Sequence, residues 1–203
     1  MPTREQIITF LDDSPPDSEA SPWVDGRTAE RAIEIVEHQD VWAAWYLDVV
    51  ASVRGALGWR VLGLQHVGST SVRGLPAKPI IDVDLTVADP HDEAAYVPAL
   101  ERAGFVLHRR EPWWYGHRLL RHDNPRTNLH VFGPESPELW RHRLFRDWLL
   151  ARPDERELYA RTKREAAAAT HDAAEGVASY NGRKHAVVLE IYARAFAAAG
   201  LTD

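Results

Sequence analysis

Asp82 and Asp84 stand one residue apart in the apolar run IIDVDL, and the turn-forming Gly68-Ser69-Thr70-Ser71 precedes them. On a strand successive side chains alternate, so the two carboxylates share one face while Val83 points into the protein. Like charges this close disfavour joint ionisation unless a positive group lies between them. A divalent cation is one such group, and Mg²⁺ typically takes one or two carboxylates and completes its shell with substrate phosphates. Gly68 allows close backbone approach, and Ser69 or Thr70 at a helix start leaves N–H groups free to meet an anion. Together Gly68, Ser69 and Thr70 would cradle phosphate while Asp82 and Asp84 hold the metal. The alternative for the same residues is a buried strand with two acids and a helix cap without a ligand.

Such a site needs a sheet to carry it. Residues 59–66 and 80–87 read as strands on either side of the Gly-Ser turn, and residues 105–109, 113–122 and 127–132 as three more. The last returns antiparallel through Asp123-Asn124-Pro125-Arg126, a turn by composition. Residues 32–37 read as a further short strand, and a sheet of about five strands is the expected size. Asp40 caps a predicted helix over residues 41–57 that ends at Gly58, with Trp42, Trp45, Val49 and Val53 at core spacing. A second helix is predicted over 92–103, ended by Gly104.

Beyond the strands the pattern is helical. Ser136-Pro137-Glu138 opens a helix to about residue 151 and Pro153 one to about residue 170. A loop around Gly176 and Tyr180-Asn181-Gly182 then leads to a last helix over 184–199. At the other end, Thr3 and Gln6 form a capping box for a helix over 3–11, and the DDSPPDSEASP stretch over 12–22 reads as a solvated linker. Three regions follow: an N-terminal helix and acidic Pro/Ser-rich linker (1–31), an α/β core (32–133), and a C-terminal helical region closing a cleft over the site (134–203).

Gly68-Ser69 followed by Asp82-Val83-Asp84 on a strand resembles the signature of the nucleotidyltransferase superfold, and HVGSTSV-x-GL-x-AKPIIDV is similar to the GrpB family within it. Further matches lie at Asn128-Leu129-His130-Val131, at Leu144-Phe145-Arg146-Asp147, at Tyr159 with Lys163, and at Tyr180-Asn181 with Lys184. The resemblance runs from roughly residue 33 to residue 196 and leaves the N-terminal helix outside it. It implies an α+β fold: a nucleotidyltransferase-like mixed β-sheet flanked by helices, with a C-terminal helical subdomain. It also implies that Lys163, Tyr180 and Lys184 face phosphate from the far side of the cleft. Lys78 just ahead of the strand and Arg183 beside Lys184 are further candidate cations, and for each of these residues a solvated surface position is the other reading.

Many members of that superfold carry a third carboxylate on a neighbouring strand, but here the strand reads TNLHVF. His130 is the candidate third ligand, and imidazole suits Mn²⁺, Fe²⁺ or Zn²⁺ better than Mg²⁺. A satisfied core histidine is its other reading. The expected activity is metal-dependent transfer of a nucleotidyl group from ATP or another NTP, with Mg²⁺ or Mn²⁺ as cofactor, to a small-molecule or macromolecular acceptor. Two alternatives stand beside it: a nucleotide- or phosphate-binding module without transfer chemistry, and a transition-metal phosphoesterase using Asp82, Asp84 and His130.

Composition narrows the classes. A net charge of −6 and a pI near 5.9 argue against a broad nucleic-acid surface. The chain has no Cys, so disulfides and thiolate metal sites are excluded. No apolar run reaches the length of a membrane span and the N-terminus lacks a signal-like apolar region, so a cytoplasmic protein with no membrane partner is expected. Eight Trp are mostly core candidates, although Trp113-Trp114-Tyr115 with His117 and Arg118 would also serve as a stacking wall.

Overall fold

Alternating apolar residues in the middle of the chain build a five-stranded mixed sheet, seen in a computed structural model that describes residues 1–11, 14–16, 21–28 and 33–202. The strands are β1 (Gly63–Val67), β2 (Ile81–Thr86), β3 (Val106–Glu111), β4 (His117–Asp123) and β5 (Arg126–Phe132), in the order β1-β2-β5-β4-β3. β2 and β5 run parallel; every other pair is antiparallel. Period-two alternation gives the sheet two unlike faces. Ile81, Val83, Leu85, Leu120, Leu129 and Val131 are buried on one, against α2 (Val41–Leu57) and α3 (Val97–Arg102). Burial of each such side chain is worth about 1.5–3 kcal/mol.

The other face carries Asp82, Asp84, Asn128 and His130, and the three C-terminal helices pack over it: α4 (Glu138–Ala151), α5 (Pro153–Asp172) and α6 (Val177–Ala198). A second apolar cluster of Val72, Leu75, Leu149, Tyr159, Ala160 and Ile191 ties these helices to the loop after the Gly-Ser turn. α1 (Arg4–Ile8) has the expected capping box of Thr3 and Gln6. It is fastened to α4 by the fully buried Arg141, which donates to the carbonyls of Gln6, Ile7 and Thr9 and pairs with Glu138. The end of α1 thus finds partners for its orphan carbonyls in a guanidinium. The fold is α+β with a mixed sheet, as expected.

Several boundaries differ from expectation. Of the strand read over 32–37, residue 32 lies outside the described residues, and only Val36 pairs, exchanging two 2.9 Å hydrogen bonds with Ala77. Prolines at 76 and 79 flank Ala77, and each removes the donor that a longer ladder would need. The chain from Gly58 to Arg60 is a 3₁₀ turn with Trp59 exposed, so β1 starts only at Gly63. Residues 113–116 form a turn and not a strand, with φ of 52° at Tyr115 and 66° at Gly116. Trp114 packs edge-on against His117 and Phe132. The helix read over 92–103 splits into a 3₁₀ turn, Glu93–Ala95, and the short α3.

The largest correction concerns Tyr180-Asn181-Gly182, which lie inside α6. A mid-helix glycine costs only about 1 kcal/mol, and Tyr180, almost fully buried, supplies more than that in packing. Tyr180 and Lys184 are therefore one helical turn apart on one face. Of the linker read over 12–22, residues 12–13 and 17–20 lie outside the described residues, while Pro22 already meets the sheet, accepting a 2.8 Å hydrogen bond from the Arg110 amide. Among the described residues no helix is long and apolar enough to cross a membrane.

Candidate functional site

β1 and β2 are joined through Gly68, whose φ of +65° is a left-handed conformation that favours glycine. A Cβ there would lie 2.8 Å from the Cβ of Asp82, so the turn and the aspartate are packed backbone against side chain. The residues after Gly68 form a 3₁₀ turn, Ser69–Ser71, where the Ser71 hydroxyl donates to the Gly68 carbonyl at 2.6 Å. Thr70 is buried; its hydroxyl donates to the Ile80 carbonyl at 3.1 Å and lies 3.1 Å from His66 Nε2, so it clamps the turn to the start of β2. Burial lowers His66 to about 4, leaving it neutral. Burial raises Tyr159 to about 12, with the Ser69 side chain acting the other way.

Between this turn and α5–α6 lies a cavity of about 220 Å³. Lys78 from the loop before β2, Lys163 from α5 and Lys184 from α6 line it, with Tyr159, Tyr180, Ser69, Asp82 and Asn128. The lysines alternate with aromatic faces: Lys184 Nζ lies 4.2 Å from the Tyr180 ring centre, Lys163 Nζ 4.9 Å from that of Tyr159 and Lys78 Nζ 5.7 Å from that of Tyr180. Ring quadrupoles offset part of the cost of crowding cations. The remainder appears as proton affinity. Burial, then Lys184 and Arg164, lower Lys163 to about 6, while burial and Lys78 lower Lys184 to about 8. Lys163 also donates to the Pro76 carbonyl. Arg183 faces elsewhere, onto Glu175 and Thr170.

The two aspartates part company. Asp82 faces the cavity wall, and its Oδ1 accepts a 2.8 Å hydrogen bond from Asn128, its register partner on β5. Burial acts to raise Asp82, but His130, Asn128 and Lys78 outweigh it and hold the carboxyl below its usual range. Asp84, only 1% exposed, is closed off by His142 of α4, whose Nδ1 lies 3.0 and 2.9 Å from its two oxygens. Burial opposes charge on His142, but Asp84 and Glu138 prevail and raise it to about 9, so it is an imidazolium at neutral pH. The positive group required beside the carboxylate pair is thus supplied on one side by a protein cation.

His130 Nε2 lies 3.8 Å from Asp82 Oδ1, and its Nδ1 meets His117 Nε2 at 3.1 Å. His117 continues to Glu111 at 2.7 Å, and Glu111 to Arg109 at 2.5 Å. Burial, then His130 and Arg109, hold His117 well below its usual value. A polar row therefore crosses the sheet face from Arg109 to Asp82. Among the described residues no three His, Asp or Glu side chains converge as a ready metal shell. Asp82 presents a partly exposed, ionised carboxylate at the cavity, which fits a hard cation that takes its other ligands from a substrate. Asp84 would join only by giving up His142.

The structure thus brings Gly68, Ser69, Thr70, Lys78, Asp82, Lys163, Tyr180 and Lys184 to one cavity, and sets Asp84 and His130 beside it. Sequence reasoning missed Asn128 and His142. Asn128 shares the strand face of His130, and His142 is one turn from Glu138; those spacings were the available signals.

The sequence profile of the GrpB protein family matches residues 32–194. A UPF0157 protein of Halalkalibacterium halodurans is 42% identical over 164 residues, covering 81% of this chain and 83% of that protein. A UPF0157 protein of Streptomyces coelicolor is 39% identical over 166 residues, with 82% and 86% covered. The crystal structure of conserved protein GrpB from Enterococcus faecalis superposes with a TM-score of 0.71 at 28% identity, over 80% of this chain and 96% of that one. With its profile match spanning most of the chain, and with strand order, Gly-Ser turn and Asp82 in one arrangement, this chain belongs to the GrpB family.

Proposed function

We propose that the chain is a nucleotidyltransferase that seats the phosphate chain of ATP or another nucleoside triphosphate in the lysine-lined cavity and passes its nucleotidyl group to an acceptor beside Asp82. One observation carries this reading: lysines from three separate segments converge on a Gly-Ser turn, with the ionised Asp82 in the wall, in a protein of net charge −6. Lys78, Lys163 and Lys184 neutralise phosphate oxygens as charge develops on them. Gly68, with no Cβ, leaves room for the Asp82 side chain to lie against the turn. Asp82, kept ionised and fixed by Asn128, orients the acceptor's hydroxyl or amine for in-line attack. Mg²⁺, or Mn²⁺, is the proposed cofactor; when bound through Asp82 and phosphate oxygens it supplies further charge stabilisation.

Sulfate tests the phosphate seat, because its charge does not change between pH 6 and 9. An anion favours charged lysines, so above the free-state values of about 6 for Lys163 and about 8 for Lys184 binding must take up protons. Sulfate affinity is expected to fall by as much as about tenfold per pH unit above pH 6, and more steeply above pH 8. Calorimetric titrations across that range measure it; affinity independent of pH would sink the assignment of these lysines. The transfer itself is tested by pyrophosphate release from NTPs with Mg²⁺ or Mn²⁺ and panels of hydroxyl- and amine-bearing acceptors. Nucleotide binding without any release would leave a binding module, the reading that the closure of Asp84 by His142 favours.

A further inference from the structure

We infer that a second cavity adjoining the first seats the acceptor, that it takes a flat acceptor carrying its own negative charge, and that Trp23 is a specificity-determining residue for it. The inference rests on the nucleotidyltransferase reading above. The cavity, about 350 Å³, lies over β3, β4 and β5 on the same sheet face as Asp82 and falls within the size range of small-molecule sites. It shares Lys78, Ile80, Asn128 and Asn181 with the lysine-lined cavity, so a molecule in one borders a molecule in the other. Among the described residues its lining contains Lys78, Arg109 and Arg121 and no carboxylate. Leu119 and Ile80 give it an apolar floor. An anionic group beside a phosphate chain needs a cation between them, and the shared Lys78 is one.

The N-terminal segment completes this cavity. The Pro22 carbonyl accepts from the Arg110 amide at 2.8 Å and the Val24 amide donates to the His108 carbonyl at 3.1 Å, so residues 22–24 lie antiparallel along the free edge of β3. Proline suits that position, since only its carbonyl is required there. Trp23 is paired with Arg109, and its ring lies 5.0 Å from the guanidinium carbon. Val24 turns to the opposite face, against the main core. Arg109 is itself held by Glu111, so the indole is fixed at one end of the cavity and offers a flat surface to a ligand. These residues precede the region matched by the family profile, residues 32–194. Acceptor preference is thereby set by a segment outside the family's common part.

The test uses the full-length protein and two probes: sulfate for the lysine cavity and 1-naphthoate, a flat monoanion, for the second. With sulfate saturating, calorimetry should show one naphthoate site. Trp23→Ala and Arg121→Gln should each weaken it about tenfold, and Trp23→Phe, which keeps a ring, by no more than about threefold. Lys184→Gln should weaken sulfate and leave naphthoate within about twofold. Circular dichroism checks the fold of each variant, and the phenylalanine variant separates loss of the ring from loss of the added strand. No naphthoate binding, or equal binding by wild type, Trp23→Ala and Arg121→Gln, overturns the inference. Naphthoate binding with this pattern but no sulfate binding would instead sink the phosphate reading, and with it the acceptor role of the second cavity.

Discussion

His142→Ala is expected to destabilise the protein by about 3 kcal/mol, because it strands the Asp84 carboxylate without its partner, and breaking buried pairs from one side typically costs that much. Asp84 is almost fully buried and both of its oxygens lie within 3.0 Å of His142 Nδ1. The pH dependence identifies the cause. His142 is raised from 6.5 to about 9 in the fold, so its contribution is complete below pH 6.5 and is lost as pH rises through about 9. Lys163 and Lys184 have the opposite sign: their folded values lie below the unfolded value, so they favour the fold increasingly as pH rises over the same interval. Wild-type stability alone would mix the two trends. The informative quantity is the difference between wild type and His142→Ala in urea unfolding, which should be widest at pH 6.5 and below and should narrow as pH rises through about 9. A difference that stays constant with pH would mean that His142 acts by packing.

Asp82→Asn should separate binding from chemistry. On the proposed reading it lowers transfer by about 100-fold or more, the size of loss seen when one preorganised polar group is removed from a charged transition state. Anion binding should change in the opposite direction. Among the described residues Asp82 is the one carboxylate lining the lysine cavity, and asparagine removes it, so sulfate should bind more tightly to the variant. The substitution is nearly isosteric and the packing against Gly68 survives it. Loss of both transfer and sulfate binding with the fold intact would show that Asp82 organises the cavity and does not act in the reaction. Unchanged transfer would remove Asp82 from the mechanism.

The parts of this site that were legible in the sequence are those whose signals are local. A glycine that tolerates positive φ, the Gly-Ser turn and the alternation around Asp82 are features of a few neighbouring residues, and each was found where expected. Lys163, Tyr180 and Lys184 came from resemblance, since nothing in their own helices points at the turn. What stayed hidden depends on register between distant segments. Asn128 reaches Asp82 only because β5 pairs parallel with β2 across 46 residues of chain. His142 reaches Asp84 only because α4 lies over that strand. Trp23 was hidden for another reason: the stretch before it has the composition of a linker, but an exposed sheet edge offers unpaired groups to whatever chain passes by. The start of α6 was misread because Tyr180-Asn181-Gly182 looks like a turn until the burial of Tyr180 is counted.

The lysine cavity is shared between two layers, with Gly68, Ser69, Lys78 and Asp82 on the sheet side and Lys163, Tyr180 and Lys184 on the helices. A ligand there touches both layers and finds no such site in the unfolded chain, so its concentration enters the folding equilibrium by mass action. At a hundred times its Kd a ligand of the native state adds about 2.7 kcal/mol, which for a chain of 203 residues is a rise of several degrees in melting temperature. The fold therefore acts as a gauge of occupancy that does not depend on turnover. Nucleotides and acceptors can be ranked by the heat the protein withstands in their presence, before any reaction has been observed.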